Sequence, residues 1–304
     1  MGSTPAGQAP IVVDGLVCRY GRREVVRGLD LRVQAGETMA LVGENGCGKT
    51  TSIRALLGAV RPFKGRCELL GADSVSIPPA TFERIGVVAE SHESYDDLTP
   101  AELFSFLSPF YPRWDRALAG NLTDVLDLPI DRRIGQLSRG GRMKAAIVSA
   151  LAYHPEVVLL DEPLAGLDEL AKESVLLALK SLRGKAATLI CSHELDDIER
   201  YVDRVTFMSE GRAQWSLSTD DLRRKVRVLR FTHTGRTGEF QPTWARFTEE
   251  GGFATLVETE FDDADTAAAV RAAFANVENY APAPASLKDA FRAFATLRKS
   301  GERP

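Results

Sequence analysis

The pattern of apolar and polar positions predicts two kinds of sheet in the N-terminal two thirds of the chain. Leu29–Val33 alternates between apolar and polar residues, which predicts a half-exposed strand in an antiparallel sheet over residues 11–36. Thr38–Val42, Val157–Leu160 and Ala187–Cys191 are apolar almost throughout and are separated by helical patterns. Such runs are typical of parallel strands covered by helices on both faces. We therefore predict an α/β fold with a smaller antiparallel β subdomain.

Helical patterning dominates residues 98–155, which we predict to be a helical insertion into the parallel sheet. Thr99 is expected to cap its first helix, with Pro100 at the first helical position and Glu102 completing a capping box. A longer helix is expected from near Gly140 to Tyr153.

The pattern changes near the C-terminus, where we predict a small α+β domain. Its expected elements are strands at Val226–Phe231, Phe253–Glu258 and Val277–Tyr280, a break at Pro282–Pro284, and helices at Asp265–Ala275 and Ser286–Lys299. We place the first domain at residues 9–218 and the second at residues 219–304.

A phosphate-binding loop follows the first apolar strand. The stretch has the pattern G-x-x-x-x-G-K-[ST], in which glycines let backbone N–H groups turn toward one anion at a helix N-terminus. Lys49 is expected to reach the outer phosphates, and the Thr50 hydroxyl to ligate Mg²⁺. The predicted nucleotide-binding residues here are Gly43, Glu44, Asn45, Gly46, Cys47, Gly48, Lys49, Thr50 and Thr51.

Two acidic residues follow the second apolar strand. Magnesium chemistry on phosphates needs a carboxylate at the end of a neighbouring strand, so we expect Asp161 to hold the ion, directly or through water. Glu162 is expected to act as the general base that polarises the attacking water.

Cys47 has two interpretations. Its place beside Lys49 and before a helix N-terminus favours a thiolate, whereas an inert side chain packed under the loop is the alternative. The four cysteines show no paired spacing and no adjacent His cluster, so neither zinc nor a disulfide framework is indicated.

The composition of the chain disfavours membrane-spanning, nucleic-acid-binding and secreted proteins. The chain has a hydrophobic fraction of 44% and no apolar run near the ~20 residues needed to cross a bilayer. Its net charge of −4, without a block of Lys or Arg, disfavours nucleic acid as a partner. The N-terminus shows no apolar signal-peptide core, so a cytoplasmic location is expected.

Residues Leu137–Gly141, which we call the signature segment, form a third motif beside the phosphate loop and the acidic turn. Placed between the phosphate loop and the acidic turn, it resembles Leu-Ser-Gly-Gly-Gln of ATP-binding cassette (ABC) transporter subunits, although Arg139 and Gly141 depart from that pattern. The resemblance covers roughly residues 11–215 and implies a P-loop NTPase fold of ABC type, with ATP and Mg²⁺ as cofactors. It also implies a head-to-tail dimer, homomeric or heteromeric, in which Ser138 and Gly140 contact the nucleotide of the opposite subunit.

Other site residues follow from the same resemblance. Tyr20 corresponds to a ring that stacks on adenine, with a half-buried strand tyrosine as the alternative. Asp168, in the segment Ala165–Asp168 that couples the two sites in the family, is also a candidate helix N-cap. His193 resembles the switch histidine that contacts the γ-phosphate. Glu90 lies where the family has a glutamine that touches Mg²⁺, or else it faces solvent or the membrane partner.

Two segments resemble the exporter branch, whose membrane subunits are encoded separately. These are Phe110–Trp114 in the insertion and Ala285–Phe291 near the C-terminus, which is similar to a closing Ser-Leu-x-Asp-x-Phe motif. They imply an ATPase that drives multi-span membrane subunits and lies peripherally on the inner face of the cell membrane.

Two rival functions use the same motifs. A non-transport cassette of the translation or DNA-maintenance type usually has two cassettes or coiled-coil arms, and this chain has one cassette without sustained heptads. An ATP-sensing module without turnover is disfavoured because Lys49, Asp161, Glu162 and His193 are all present.

Overall fold

The structure is a computed structural model that describes residues 9–89, 95–238, 245–250, 253–258 and 261–297. The chain divides into two compact units, the first ending at Ser216 and the second beginning at Leu217. No helix among the described residues is long and apolar enough to cross a bilayer.

The first unit contains two sheets. Its strands are β1 (Ile11–Tyr20), β2 (Arg23–Val33), β3 (Thr38–Gly43), β4 (Lys64–Leu69), β5 (Ala72–Asp73), β6 (Ile85–Val88), β7 (Val157–Asp161), β8 (Ala187–Ser192), β9 (Arg204–Ser209) and β10 (Arg212–Ser218). Its α-helices are α1 (Lys49–Leu56), α2 (Pro79–Phe82), α3 (Pro100–Leu107), α4 (Arg116–Val125), α5 (Arg139–Leu151), α6 (Glu169–Lys180) and α7 (Leu195–Ile198).

The larger sheet has the strand order β10-β9-β3-β8-β7-β6, and the strands β9, β3, β8, β7 and β6 run parallel. All residues of β3, β7 and β8 are buried, as their uninterrupted apolar sequences predict. Because β3, β7 and β8 run parallel, their carboxyl ends lie together, which brings Gly43, Asp161 and Ser192 to one edge of the sheet.

The smaller sheet is the predicted antiparallel one, with the order β2-β1-β4-β5. Leu16 and Leu29 on this sheet belong to the same core as Leu41 on β3 and Ile53 on α1. The phosphate loop between β3 and α1 therefore rests on a continuous apolar core, which fixes the position of its backbone.

The helical insertion begins as predicted. The Thr99 hydroxyl accepts a hydrogen bond from the Glu102 N–H, and Glu102 accepts one from the Thr99 N–H, so the capping box is complete. The rings of Tyr111 and Tyr153 stack at 3.9 Å, and the Tyr153 hydroxyl donates to the Ile85 carbonyl, which ties the insertion to β6.

The second unit is built around a four-stranded sheet with the order β13-β14-β11-β16. Its elements are α8 (Thr219–Lys225), β11 (Arg227–Thr232), β12 (Gly235–Arg236), β13 (Ala245–Glu250), β14 (Phe253–Glu258), α9 (Asp263–Ala273), β15 (Phe274–Ala275), β16 (Glu278–Pro284) and α10 (Leu287–Leu297). The Ser286 hydroxyl accepts from the Asp289 N–H, so part of the Ser-Leu-x-Asp-x-Phe motif serves to start α10.

One predicted boundary in this unit is wrong. We expected Pro282–Pro284 to end the preceding strand, but β16 continues through Pro284 and pairs with β11, with Pro282 opposite Leu229. The reason is that β16 is an edge strand, where a residue without an N–H is tolerated.

Candidate nucleotide-binding and catalytic site

The phosphate loop has the backbone that its glycines predict. Gly46 and Gly48 adopt left-handed φ angles of 79° and 115°, and α1 begins directly after Gly48. A Cβ on Gly43 would lie 2.1 Å from the Met208 carbonyl oxygen, so only glycine fits there. The loop is therefore shaped for anion binding by its backbone N–H groups.

Lys49 lies across this loop and is buried. Its Nζ donates to the Gly43 carbonyl at 2.8 Å and lies 3.4 Å from Oε1 of Glu162. The cation is thus held next to the place where phosphate oxygens would enter.

Thr50 and Asp161 come together from different elements of the first unit. The Thr50 hydroxyl donates to Oδ1 of Asp161 at 3.1 Å, although the two residues are 111 positions apart in the sequence. A hydroxyl and a carboxylate are hard oxygen donors, so this pair fits Mg²⁺, whose remaining ligands would be waters and phosphate oxygens. Such an ion, when bound, would neutralise charge on the phosphates. Glu90, the third predicted ligand, lies outside the described residues.

Glu162 and His193 form a hydrogen-bonded pair next to Lys49. Oε2 of Glu162 lies 2.8 Å from Nδ1 of His193 and accepts a 3.3 Å hydrogen bond from the His193 N–H. Glu162 has a left-handed φ of 52°, a strained conformation for a residue with a side chain, and its N–H donates to the Cys191 carbonyl. The backbone and His193 together hold the carboxylate in place.

Lys172 is a residue that sequence reasoning missed. Its Nζ lies 2.7 Å from Oε2 of Glu194 and 2.8 Å from Oδ2 of Asp197, and these hydrogen bonds raise the pKa of Lys172. Because Glu194 directly follows His193, α6 anchors the histidine segment. The acidic residues after His193 were the available signal, but their partner on α6 could not be read from spacing.

A cleft of about 310 Å³ lies between the phosphate loop, Glu162 and His193. It is lined by Val25, Asn45, Gly46, Gly48, Lys49, Thr50, Thr51, Glu162 and His193. Eight of these nine were predicted from the phosphate loop, the acidic turn or the histidine motif, and Val25 is the one addition. Among the described residues, no cluster of three or more His, Cys, Asp or Glu side chains suited to a metal is present.

Other predicted residues lie outside the lining of this cleft. The Ser138 hydroxyl accepts from the Gly141 N–H at 3.1 Å and caps α5, and Oδ1 of Asp168 accepts from the Ala171 N–H at 2.8 Å and caps α6. Tyr20 ends β1 with 48% of its surface exposed. The roles of Ser138, Gly140, Asp168 and Tyr20 toward a nucleotide remain predictions.

Cys47 is buried, which favours the inert interpretation. Burial raises the pKa of its thiol, and the nearby Lys49 charge offsets this only in part. The helix N-terminus and Lys49 were expected to lower the pKa of the Cys47 thiol, but desolvation of the buried thiol outweighs them.

Comparison with known proteins identifies the family. Residues 26–165 match the family model described as ABC transporter. Nod factor export ATP-binding protein I of Burkholderia orbicola is 35% identical over 210 residues, which cover 67% of this chain and 69% of that protein. The chain is an ATP-binding cassette of the ABC transporter family. Daunorubicin resistance ATP-binding protein DrrA3 of Streptomyces coeruleorubidus is also 35% identical, over 220 residues covering 70% of this chain and 69% of that protein.

A solved structure agrees with this assignment. A structure titled as the ATP-binding subunit of an ABC transporter superposes on the cassette with a TM-score of 0.64 at 28% identity, covering 70% of this chain and 92% of that one. The expected P-loop fold of ABC type and the expected ABC ATPase are confirmed.

Proposed function

We propose that this cassette hydrolyses ATP to power export through separately encoded multi-span membrane subunits, on the inner face of the cell membrane. The observation that carries the proposal is that Lys49, Thr50, Glu162 and His193 line one cleft, with Asp161 hydrogen-bonded to Thr50. Relatives named for Nod factor export and daunorubicin resistance favour export over a non-transport cassette.

Each of these residues has a defined part in hydrolysis. Lys49 contacts the outer phosphates, while Thr50 and Asp161 would hold Mg²⁺, which would neutralise charge on the phosphates. Glu162 orients the attacking water and accepts its proton, and His193 keeps the carboxylate in position and reaches the γ-phosphate. Most of the rate then comes from positioning and from charge stabilisation by fixed groups.

Two cassettes acting head to tail complete each site. Ser138 and Gly140 do not line the cleft of their own chain, which supports a role toward the nucleotide held by a partner cassette. With Tyr20 stacking on adenine, ATP would be enclosed between the phosphate loop of one chain and the signature segment of the other.

Mixing two inactive variants tests this arrangement. Lys49→Ala removes the phosphate contact and Ser138→Arg blocks the signature segment, so each variant alone should hydrolyse little ATP. In a heterodimer one site receives both defects and the other receives neither, so mixing should restore hydrolysis. Heterodimers that form but stay inactive would argue against composite sites. Activity of the purified wild-type chain alone would show that a homodimer is sufficient.

The membrane subunits need a surface on the cassette. Tyr95, Phe106 and Phe110 are each about half exposed and form a continuous row, with ring centroids 5.6 Å apart. Exposed aromatic groups of this kind favour a protein interface. Phe106→Ser with Phe110→Ser should abolish co-purification with the co-expressed membrane subunits without lowering basal ATP hydrolysis. Retained co-purification would exclude this surface.

A further inference from the structure

Arg139 stands where the family pattern has a glycine, and its side chain packs on the segment that follows Glu162. A Cβ placed on Gly166 would lie 3.0 Å from Nη1, 3.2 Å from Cζ and 3.4 Å from Cδ of Arg139. The guanidinium therefore rests directly on the backbone of Gly166, which has a left-handed φ of 69°. Glycine supplies both the required conformation and the free space for this contact.

Gly140 makes a second contact between the same two segments. A Cβ on Gly140 would lie 3.4 Å from Cβ of Ala171 and 3.7 Å from Cδ2 of Leu167. The beginning of α5 is thus packed against α6 and the turn before it at two adjacent residues, so a shift of one segment displaces the other.

The turn that carries Gly166 begins at Glu162 itself. The Ala165 N–H donates to the Glu162 carbonyl at 3.2 Å, and the Leu167 N–H donates to the Leu164 carbonyl at 3.2 Å. The turn is short and internally hydrogen-bonded, so movement at Gly166 is transmitted to the backbone of Glu162.

We propose that Arg139 is a positioning residue that couples the two nucleotide sites of the dimer. The inference rests on the proposed function, in which Ser138 contacts the partner's nucleotide while Glu162 acts on the nucleotide of its own chain. A nucleotide that draws in Ser138 also moves its neighbour Arg139, and the contact with Gly166 passes this displacement to Glu162. A packed contact of this kind gives the sites a coupling free energy, which makes hydrolysis cooperative.

Arg139→Gly, compared with Arg116→Gly, tests the coupling. Arg116 is the matched control because it is also an exposed arginine at the first position of a helix, α4. In wild type we expect a Hill coefficient for ATP above 1. In Arg139→Gly it should fall to about 1, and kcat should fall about fivefold or more, as expected for coupled sites. Arg116→Gly should keep both values, and thermal unfolding should show that both variants are folded.

Gly166→Ala, made alone and with Arg139→Gly, tests the contact itself. The added Cβ strains the backbone in both backgrounds, but it displaces a guanidinium only when Arg139 is present. The double-mutant cycle therefore separates the effect of the Arg139–Gly166 contact from the effect of backbone strain. We expect Gly166→Ala to lower kcat by a larger factor in the wild-type background than in Arg139→Gly, where coupling is already lost. An equal fold-loss of kcat in both backgrounds would overturn the contact as the route of coupling.

Different results would contradict the role of Arg139 and the proposed ATPase activity. Cooperative hydrolysis by Arg139→Gly, or non-cooperative hydrolysis by the wild type, would overturn the role of Arg139 and leave the ATPase intact. Absence of hydrolysis by the wild-type chain would instead refute the proposed function, and the coupling with it.

Discussion

Lys49 and Glu162 form a buried ion pair, with Nζ 3.4 Å from Oε1. Both residues are more than nine-tenths buried, so each charge depends on the other for compensation. Under the proposed mechanism a γ-phosphate would compete with Glu162 for Lys49. Nucleotide binding would then free the Glu162 carboxylate to accept a proton from the attacking water.

Glu162→Gln should separate ATP binding from hydrolysis. Loss of the general base should lower kcat by about 100-fold or more. ATP affinity should rise, because the side chain no longer competes as an anion for Lys49. Size-exclusion chromatography in ATP should then show a stable dimer, and a fluorescent ATP analogue gives the affinity. Glu169→Gln, an exposed position at the start of α6, is the control. Undiminished turnover in Glu162→Gln would remove Glu162 from the role of base.

Lys172→Met should slow hydrolysis without weakening ATP binding. The two carboxylates that Lys172 holds would repel each other, and the segment carrying His193 would shift. We expect kcat to fall roughly tenfold with little change in KM, since misplacement by even 1 Å can cost about a hundredfold. Lys172→Arg should restore most of the rate because it keeps both ion pairs. Lys180→Met, at the exposed end of the same helix, should have no effect. Normal kcat in Lys172→Met would show that Lys172 only stabilises the fold.

Cys47 should react slowly with iodoacetamide. Burial raises the pKa of the thiol, so at neutral pH the reactive thiolate is scarcer than in a free cysteine. Peptide mass spectrometry should show alkylation several-fold slower than that of free cysteine, with a rate that rises with pH. Fast labelling at pH 7 that ATP suppresses would restore the reactive interpretation.

Glu156 should give the cassette a salt- and pH-dependent stability. Hydrogen bonding to Arg84 is the main cause of its lowered pKa, and Arg113 also pairs with it. A carboxyl whose pKa is lower in the folded state stabilises the fold above its unfolded pKa, and this contribution is lost as pH falls through the folded pKa. Because Glu156 is partly exposed, Glu156→Gln should destabilise by roughly 0.5–1 kcal/mol at pH 7.

Urea unfolding at several pH values measures this effect. The difference between Glu156→Gln and wild type should shrink at acid pH, below about pH 4, and also in 1 M salt. Glu173→Gln, an exposed position on α6, should show no such dependence. A difference that stays constant from pH 7 to pH 3 would exclude the ion pairs as its cause.

Local sequence signals predicted much of the fold and the phosphate loop. The capping box at Thr99 and the left-handed glycines at 46 and 48 depend on residues close in sequence, so the sequence alone predicts them. The contacts of Lys172 with Glu194 and of Arg139 with Gly166 join distant parts of the chain and left no local pattern. The prolines of β16 led to a wrong strand end. A strand tolerates them only at the edge of a sheet, and only the order of the strands shows that β16 is an edge strand.

The prolines of β16 also protect one side of the C-terminal sheet from adhesion to other chains. The Ala285 N–H donates inward to the Val226 carbonyl, and N–H directions alternate along a strand, so the nitrogens of Pro282 and Pro284 face outward. These outward positions offer no hydrogen to an incoming strand. A strand from another chain therefore cannot pair fully with β16, which keeps copies of the protein from joining through a shared sheet along this edge.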